Sequence, residues 1–487
     1  ASASAVRLYA EAILECGGVA DVTTRQNWQL RNLTLEQGAA LVAKLASVNA
    51  TSYQSAMDNV RNVVGSPYAG LFVGEDALDT RPYCSALNDL VTIDPLTGTR
   101  GNPQWGNLPR KFNIAVGSSL TDDYVHARIN DLAFEPALSA EDGTTLGFNV
   151  VVGGYFSAKR SAQAIPLDLW IPATVNNVLD VTTALLTIFR DEGGREDRQK
   201  ARLMWLVEDY GVQAFRERVL RELNNVDDDG VVVVKRAQPR HIPQEARHPS
   251  TVGVFPSSSS NDDDDLSLVG FHVPVGRVFP EEMRTLADLA DKYSQRQEIR
   301  LTVDQNVLIP DVADVDAFLR EASSKLPRFT TKPGPVSGST VSCTGAQYCP
   351  VAIIETKGLA ERISTKLDKA YGRPLRLHVT GCPNSCGQVQ VADLGLMGAP
   401  ARRFDPVTGK KKAVPGVDVF VGGTIGAAST LVTEPLLKGV PVDDEDELVS
   451  VLVDLANTHF RPSLLRRLLT KLPSFRFWGR KFLLAGR

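Results

Sequence analysis

Apolar residues recur at spacings of three and four in several stretches of the chain, which is the pattern of helices that bury one face. We predict amphipathic helices over residues 35–48, 182–190, 281–293 and 448–458. Pro280 precedes Glu281 and Glu282, and both features favour a helix start. Proline suits the first turn of a helix, and acidic side chains suit its positive end.

Short runs of β-branched and other apolar residues alternate with these helical segments. Residues 150–152, 377–379 and 419–421 are three such runs, and we predict that they form buried strands. Since each half of the chain contains both kinds of segment, the pattern predicts an α+β protein.

The two halves of the chain also resemble each other. Residues 23–30 align with 302–309, residues 63–69 with 343–349, and residues 147–154 with 416–423. Each match alone is weak, but all three occur in the same order at offsets between 269 and 280 residues. We therefore predict an internal duplication, with two halves related by a pseudo-twofold axis.

A change in composition separates these halves. Residues 225–265 contain an Asn-Val-Asp-Asp-Asp-Gly stretch, four prolines, four consecutive serines and four consecutive aspartates. Runs of serine and of like charges favour solvated chain, so we predict a linker here. The alternative for the acidic run is a docking site.

The composition of the whole chain excludes several classes of protein. Its 487 residues are 43% hydrophobic and 23% charged, a globular profile that argues against wholesale disorder and fibrous repeats. The net charge of −4 gives no indication of nucleic-acid binding. No apolar run reaches the roughly 18 residues that a transmembrane helix needs. The chain starts at Ala1 without an apolar signal segment, and we expect a processed or trimmed start.

The C-terminal segment departs from this average. Residues 461–487 contain eight basic residues and no acidic one, which leaves a charge of −12 for the rest of the chain. Leucines alternate with basic residues there and are followed by aromatic side chains. Two interpretations stand side by side: a helix docked through its leucines, or an anchor for a membrane surface or an acidic partner.

Six cysteines are too few for a disulfide scaffold of this length, yet four of them fall within 44 positions. The four are Cys343, Cys349, Cys382 and Cys386. Clustered thiolates suit zinc or an iron–sulfur cluster, and the intervals of five and three residues within the pairs are wider than in zinc hairpins. We therefore favour a cubane over zinc or a set of buried or paired thiols. Cys16 and Cys84 are expected to be small buried apolar side chains.

The duplication indicates how the chemistry is divided between the halves. Val63 and Ala69 stand where two of the clustered cysteines stand in the other half, and Arg25 corresponds to Asp304. We therefore expect metal ligands from the C-terminal half and cationic groups from the N-terminal half.

The residues around the four cysteines resemble the two cluster motifs of the sirohaem-containing assimilatory nitrite and sulfite reductases. The first motif runs from Cys343 to Lys357, and the second reads Thr-Gly-Cys-Pro-Asn-Ser-Cys-Gly over residues 380–387. The resemblance extends from about residue 21 to about residue 455. It implies the duplicated fold of that family, in which each half has a ferredoxin-like half-domain and a larger α/β lobe.

The resemblance also implies a division into domains. In chain order these are a half-domain (1–54), a lobe with substrate-side cations (55–224), the linker (225–265), a second half-domain (266–330), a lobe with the cysteines (331–460) and the basic tail (461–487). The two pseudo-equivalent halves are expected to surround one shared site.

Two cofactors follow from the same resemblance. The four clustered cysteines would hold a 4Fe–4S cluster, and Cys386 would share its thiolate with the iron of sirohaem. A shared thiolate couples an electron store strongly to a reaction centre. Such coupling suits a reaction that takes six electrons one at a time.

Three N-terminal residues match the cationic substrate pocket of the family: Arg25, Arg61 and Lys111. A planar guanidinium suits an oxyanion, and an ammonium can also give up a proton. Asn113 stands where sulfite reductases of the family place a second lysine and nitrite reductases place asparagine. Sulfite carries up to two negative charges and nitrite carries one, so one cation fewer favours nitrite.

The expected electron donor is a protein. No Gly-x-Gly-x-x-Gly motif opens a helix after a strand, so we expect ferredoxin rather than a bound dinucleotide. The expected reaction is six-electron reduction of nitrite to ammonium, in the plastid stroma or in the cytoplasm of a cyanobacterium or other bacterium. The alternatives are a ferredoxin-dependent sulfite reductase and a non-catalytic paralogue that serves as a subunit of a larger assembly.

Overall fold

The structure, a computed structural model, describes residues 1–52, 54–71, 78–223, 250–257, 266–404, 409–426 and 430–460. The helices in these ranges are α1 (Ala3–Leu14), α2 (Leu35–Leu45), α3 (Arg81–Thr92), α4 (Val175–Glu192), α5 (Leu203–Tyr210), α6 (Val212–Leu223), α7 (Pro280–Tyr293), α8 (Val315–Lys325), α9 (Lys357–Ala370) and α10 (Glu445–His459). The strands of the N-terminal half are β1 (Ala20–Val22), β2 (Trp28–Leu30), β3 (Val60–Gly65), β4 (Phe112–Val116), β5 (Leu132–Leu138), β6 (Leu146–Val152) and β7 (Ile165–Pro172). Those that follow are β8 (Gly253–Pro256), β9 (Ser267–Phe271), β10 (Arg277–Val278), β11 (Arg300–Leu301), β12 (Val307–Val312), β13 (Thr340–Ser342), β14 (Leu377–Thr380), β15 (Leu394–Phe404), β16 (Lys411–Val421) and β17 (Leu437–Pro441).

Capping side chains determine where two of the predicted helices begin. All four predicted helical segments are present, in α2, α4, α7 and α10. α4 begins seven residues before the apolar repeat, because Thr174 accepts a hydrogen bond from the backbone N–H of Asn177. α10 also begins earlier than predicted, since Asp444 accepts hydrogen bonds from the N–H groups of Asp446 and Glu447.

Two five-stranded sheets have the same topology, which confirms the predicted duplication. Their strand orders are β3-β4-β5-β6-β7 and β13-β14-β15-β16-β17. In each sheet the first three strands run parallel, and the last two pair antiparallel with their neighbours. The first sheet packs against α3, α4, α5 and α6, and the second packs against α9 and α10. The three predicted strands lie in β6, β14 and β16.

The two ferredoxin-like regions share a single core. Buried side chains of α1, α7 and α8 pack there together with those of strands from both halves. β1 lies between β2 and β10, and it pairs antiparallel with β10 so that Asp21 is opposite Arg277. The N-terminal segment is therefore built into a sheet that both halves form.

The predicted linker is not loop throughout. Residues 253–256 form β8, which pairs with β9 at the edge of the sheet of order β11-β12-β9-β8. That part of the segment is strand because its extended backbone completes the edge of this sheet. Most of the remaining linker, including the acidic run at 262–265, lies outside the described residues, as does the basic tail at 461–487. None of the described helices is long and apolar enough to cross a membrane.

Candidate active site

The four clustered cysteines follow two neighbouring strands. Cys343 comes directly after β13, and Cys382 and Cys386 come after β14. Because β13 and β14 are adjacent and parallel, their carboxyl ends reach the same edge of the sheet. The backbone N–H of Gly381 donates a hydrogen bond of 3.2 Å to Sγ of Cys343, and this contact joins the two loops.

Cys349 lies further along the loop that follows β13. This loop folds back on the second one, since the N–H of Ile353 donates to the carbonyl oxygen of Gly381 at 2.7 Å. Gly345 allows the turn, with φ at +69°, and a Cβ there would lie 2.4 Å from Oγ1 of Thr356. Only glycine therefore fits at this point of the motif.

The four thiols lie close enough to act on one another. Burial raises the pKa of Cys386, and Cys343, Cys382 and Cys349 raise it further, whereas Lys111 lowers it. All six cysteines of the chain are described, and all are free thiols. Within the described ranges, no three side chains of the metal-ligating types are close enough to bind one ion.

The loop between β1 and β2 brings a predicted pocket residue to these cysteines. Oγ1 of Thr24 donates a hydrogen bond of 3.2 Å to the carbonyl oxygen of Cys386. The guanidinium of Arg25 donates a hydrogen bond to the side-chain oxygen of Asn130. Burial lowers the pKa of Arg25 to about 10, while Asp131 and Cys386 act in the opposite direction. Arg25 is therefore a fixed cation beside the last cysteine.

The same turn recurs in the second half without the arginine. The N–H of Thr23 donates to the carbonyl oxygen of Asn27 at 2.9 Å, and the N–H of Thr302 donates to that of Asn306 at 3.0 Å. The second turn carries Asp304 at the position of the cation. Of these two equivalent turns, only the N-terminal one supplies positive charge.

Two further predicted cations lie on β3 and just before β4, which are parallel neighbours. Nε of Arg61 donates a hydrogen bond of 2.8 Å to the carbonyl oxygen of Met57, and burial lowers the pKa of Arg61. The pKa of Lys111 is lowered to about 8, first by burial and then by Arg202, with smaller effects of Arg25 and Arg61. The structure thus brings the predicted cations together, and an ammonium with this pKa can exchange a proton near neutral pH.

Asn113, the predicted discriminating residue, is buried against a carboxylate. Its backbone N–H and its Nδ2 donate to Oδ2 of Asp131 at 2.9 Å and 3.4 Å. Asp131 also accepts two hydrogen bonds from Arg202, at 3.0 Å from Nε and 2.6 Å from Nη2. The guanidinium of Arg202 lies 4.8 Å from the ring centroid of Tyr155. The sequence motifs gave no indication of Asp131 or Arg202.

The duplication did contain a signal for Asp131. This residue directly precedes β5, and Asp393 directly precedes β15, the equivalent strand of the second sheet. Asp131 accepts the backbone N–H of Asn113 at 2.9 Å, and Asp393 accepts that of Arg376 at 2.8 Å. Asp131 and Asp393 therefore accept equivalent backbone hydrogen bonds in the two sheets.

A second charge cluster surrounds Asp21 of β1, next to the first cysteine loop. Its carboxylate accepts hydrogen bonds from Arg277 at 2.6 Å, Thr344 at 2.7 Å and Arg31 at 3.2 Å, and Nζ of Lys357 lies 3.7 Å away. Burial acts to raise the pKa of Asp21, but Lys357 and Arg277 hold it below its usual value. The three cations outnumber the single carboxylate, so the net charge beside Thr344, the residue that follows Cys343, is positive.

Other features lie away from this site. Cys16 and Cys84 are half-buried rather than fully buried as predicted, and Cys16 donates to the carbonyl oxygen of Ile13 at 3.3 Å. Burial raises the pKa of Cys84 to about 12. A cavity of about 550 Å³ is lined by residues that include Arg160, Met204, Glu208 and Leu431. None of the predicted site residues lines that cavity.

Comparison with known protein families shows to which family the chain belongs. The family model for the nitrite and sulphite reductase 4Fe-4S domain matches residues 56–226 and 334–461, more than half of the chain. The chain belongs to the nitrite and sulphite reductase family. The model for the nitrite/sulfite reductase ferredoxin-like half domain matches residues 259–323. The family predicted from the cysteine motifs is therefore confirmed.

Individual members of the family cover most of the chain. The ferredoxin–nitrite reductase of Synechococcus elongatus is 45% identical over 89% of this chain and 79% of its own length. The chloroplastic ferredoxin–nitrite reductase of Zea mays is 43% identical over 91% and 73% of the two chains. Among solved structures, the NirA protein of Mycobacterium tuberculosis has a TM-score of 0.80 and 25% identity, covering 99% of this chain and 81% of that one.

The side chains of the site fit the cofactors of the family, a 4Fe–4S cluster and sirohaem. Four thiols on two joined loops match the ligand set of the cluster, and the Gly381 N–H donates to one of the sulfurs as amides around such clusters do. Sirohaem carries several carboxylates. Arg25 and Lys111, which interact electrostatically with Cys386, supply positive charge beside the residue that would bind the sirohaem iron.

Proposed function

We propose that the chain is a ferredoxin-dependent nitrite reductase, which reduces nitrite to ammonium with six electrons. The contact between Thr24 and Cys386 carries this proposal, because it holds the buried guanidinium of Arg25 beside the last cysteine of the cluster motif. An anion bound there has fixed cations next to it and a redox centre within reach.

In this proposal the four clustered cysteines hold the 4Fe–4S cluster, and Cys386 also binds the iron of sirohaem. When bound, the cluster stores electrons and the sirohaem supplies the iron at which nitrite is reduced. The hydrogen bond from Gly381 to Cys343 supports the first assignment, since such bonds stabilise a thiolate ligand.

The pocket cations have different roles. Arg25 and Arg61 attract and orient the anion, because a guanidinium stays protonated at neutral pH even when burial lowers its pKa. Lys111, with a pKa of about 8, also holds a proton that it can deliver as an N–O bond breaks. All three residues thus attract the anion, and of the three only Lys111 also supplies a proton.

Asn113 supports nitrite rather than sulfite as the substrate. Its amide carries no charge and lies against Asp131, so this position adds no positive charge to the pocket. Sulfite, with up to two negative charges, gains more from an additional cation than nitrite does. The names of relatives with 43–45% identity, which are ferredoxin–nitrite reductases, agree with this choice.

The proposed electron donor is reduced ferredoxin, and the proposed compartment is the plastid stroma, with the cytoplasm of a cyanobacterium or other bacterium as the alternative. The relatives of Zea mays and Arabidopsis thaliana are chloroplastic ferredoxin–nitrite reductases, which supports both proposals.

An optical titration of the purified holoprotein tests the function. We expect sirohaem absorption bands that shift when dithionite and then nitrite are added, and one ammonium per nitrite in turnover with reduced ferredoxin. The value of kcat/KM for nitrite should exceed that for sulfite. Absence of the bands after reconstitution would overturn the enzymatic proposal, whereas faster sulfite turnover would identify the chain as a sulfite reductase. Bound cofactors without turnover of either anion would indicate a non-catalytic subunit.

A further inference from the structure

A buried ion pair lies behind the pocket cations. Asp131 is fully buried and the side chain of Arg202 is 4% exposed, and their two hydrogen bonds hold the groups in a bidentate arrangement. Asp131 directly precedes β5, and Arg202 is the residue before α5. Both groups are therefore fixed by regular elements of the first lobe.

Arg202 acts on every predicted cation of the pocket. Burial is the main cause of the lowered pKa values of Arg25, Arg61 and Lys111, and the charge of Arg202 lowers all three further. Asp131 opposes the effect on Arg25. At the low effective dielectric of a buried site, the charge of a neighbouring side chain changes the affinity for an anion substantially.

We propose that Asp131 and Arg202 form a charge-balancing pair that determines whether the pocket prefers a singly or a doubly charged oxyanion. This inference rests on the proposed function and adds two specificity-determining residues to it. With the pair intact, Arg202 is neutralised by Asp131, and the pocket presents the three charges of Arg25, Arg61 and Lys111. Without the carboxylate charge, the charge of Arg202 is no longer balanced, so the net charge at the pocket rises by one, which favours sulfite. Without the guanidinium charge, the charge of Asp131 is no longer balanced, so the net charge falls by one, which favours nitrite.

Asp131 also positions Asn113. It holds both the backbone N–H and the Nδ2 of that residue, so the neutral amide is oriented by the same carboxylate that balances Arg202. Asp131 and Arg202 are thus positioning residues, which act on the substrate through their charge and through Asn113.

A purely structural role makes a different prediction. Breaking a buried ion pair lowers stability whichever partner is removed. Such damage would reduce the turnover of nitrite and sulfite in the same proportion. The proposed role instead requires the two removals to change the preference in opposite directions.

The test uses the cofactor-loaded holoprotein and four variants. These are Asp131→Asn, Arg202→Met, the double variant Asp131→Asn/Arg202→Met and the control Glu135→Gln. Glu135 lies on β5 and accepts two hydrogen bonds from Arg128, so the control also replaces a carboxylate that binds one arginine. We would measure kcat/KM for nitrite and sulfite with reduced ferredoxin, and the Kd of each anion from the shift of the sirohaem bands.

We expect the sulfite-to-nitrite ratio to rise about tenfold in Asp131→Asn and to fall by a similar factor in Arg202→Met. The double variant and Glu135→Gln should keep the ratio of the unmodified protein within about twofold. If both single variants lose activity without a change in either ratio, the pair is structural and the proposal is wrong.

If one single variant does not fold, the other still tests the proposal, because its sulfite-to-nitrite ratio must change in the stated direction. A changed ratio in the double variant would also overturn the proposal. Nitrite turnover by the unmodified protein is measured first and reports on the proposed function alone. The Kd ratios test the charge-balancing pair even if that turnover is absent.

Discussion

The hydroxyl of Thr24 donates a hydrogen bond to the carbonyl oxygen of Cys386, a residue 362 positions further along the chain. This contact joins a turn of the N-terminal half-domain to the loop that carries the last clustered cysteine. Because Arg25 follows Thr24 directly, the same bond fixes the position of a pocket cation relative to that loop.

Thr24→Val removes the donor at nearly constant volume and should raise KM for nitrite. A lost hydrogen bond costs about 0.5–1.5 kcal/mol, which corresponds to roughly a twofold to tenfold increase, and we expect a smaller effect on kcat. Steady-state kinetics with reduced ferredoxin checks this expectation. Thr24→Ser is the matched control because it keeps the hydroxyl. A valine variant with the KM of the unmodified protein, or a serine variant as impaired as the valine variant, would contradict the assigned role of the hydrogen bond.

Lys111 should give the enzyme an alkaline limit. Its pKa is lowered to about 8 by burial and by neighbouring cations, so the side chain is protonated below that pH and neutral above it. We expect kcat/KM for nitrite to fall as the pH rises through about 8, because both the attraction and the proton are lost. Lys111→Arg should move this fall to higher pH and reduce kcat, since a guanidinium does not give up its proton. An unchanged pH profile in Lys111→Arg would assign the limit to another group.

Cys386 should be required for the coupling of the two cofactors. In Cys386→Ala we expect the sirohaem bands, or the spectroscopic coupling between sirohaem and the cluster, to be lost. Absorption and electron paramagnetic resonance spectra of the purified variant measure this. Cys16→Ser is the control, because Cys16 lies outside the site and donates to Ile13. Retention of coupled spectra in Cys386→Ala would contradict the assignment.

Asp21 should stabilise the fold in a pH-dependent way. Asp21→Asn leaves Arg277 and Lys357 without their carboxylate, and we expect a loss of about 3–5 kcal/mol in the free energy of unfolding at pH 7. The folded-state pKa of Asp21 is lowered, so its contribution is complete above the unfolded pKa of about 3.9 and decreases as the pH falls below it.

Urea denaturation of the holoprotein at several pH values checks the prediction for Asp21. The difference between the two proteins should shrink as the medium becomes more acidic. Asp288→Asn is the control, because the pair of Asp288 with Arg7 is on the surface and should contribute much less. An equal loss at every pH would show that the ionised carboxylate is not the cause.

Local patterns predicted those parts of the molecule that have local causes. The apolar repeat and Pro280 located α7, and the clustering of four cysteines within 44 positions located the two cysteine loops. The resemblance of these loops to one family then led to Arg25 and Lys111. Each of these features is contained in a short segment of sequence.

Residues whose environment is made by distant segments could not be predicted in this way. Arg202 precedes a helix and resembles any surface arginine, because its burial depends on Asp131, 71 residues earlier in the chain. Periodicity records which side of an element is apolar, but it does not record which buried charge has a partner. Only the equivalence of Asp131 and Asp393 in the duplicated sheets offered a signal.

The pairing of β1 with β10 has a consequence for how the protein is made. Asp21 meets Arg277 across 256 residues and Thr344 across 323, so β1 and its neighbour β2 have left the ribosome long before β10 exists. The edge of β1 that pairs with β10 is open during that interval and can associate with the wrong strand. By the proposed assignment, the redox centre cannot be loaded before Cys386 has been made, so a chain that ends before that residue lacks one of its four proposed cluster ligands.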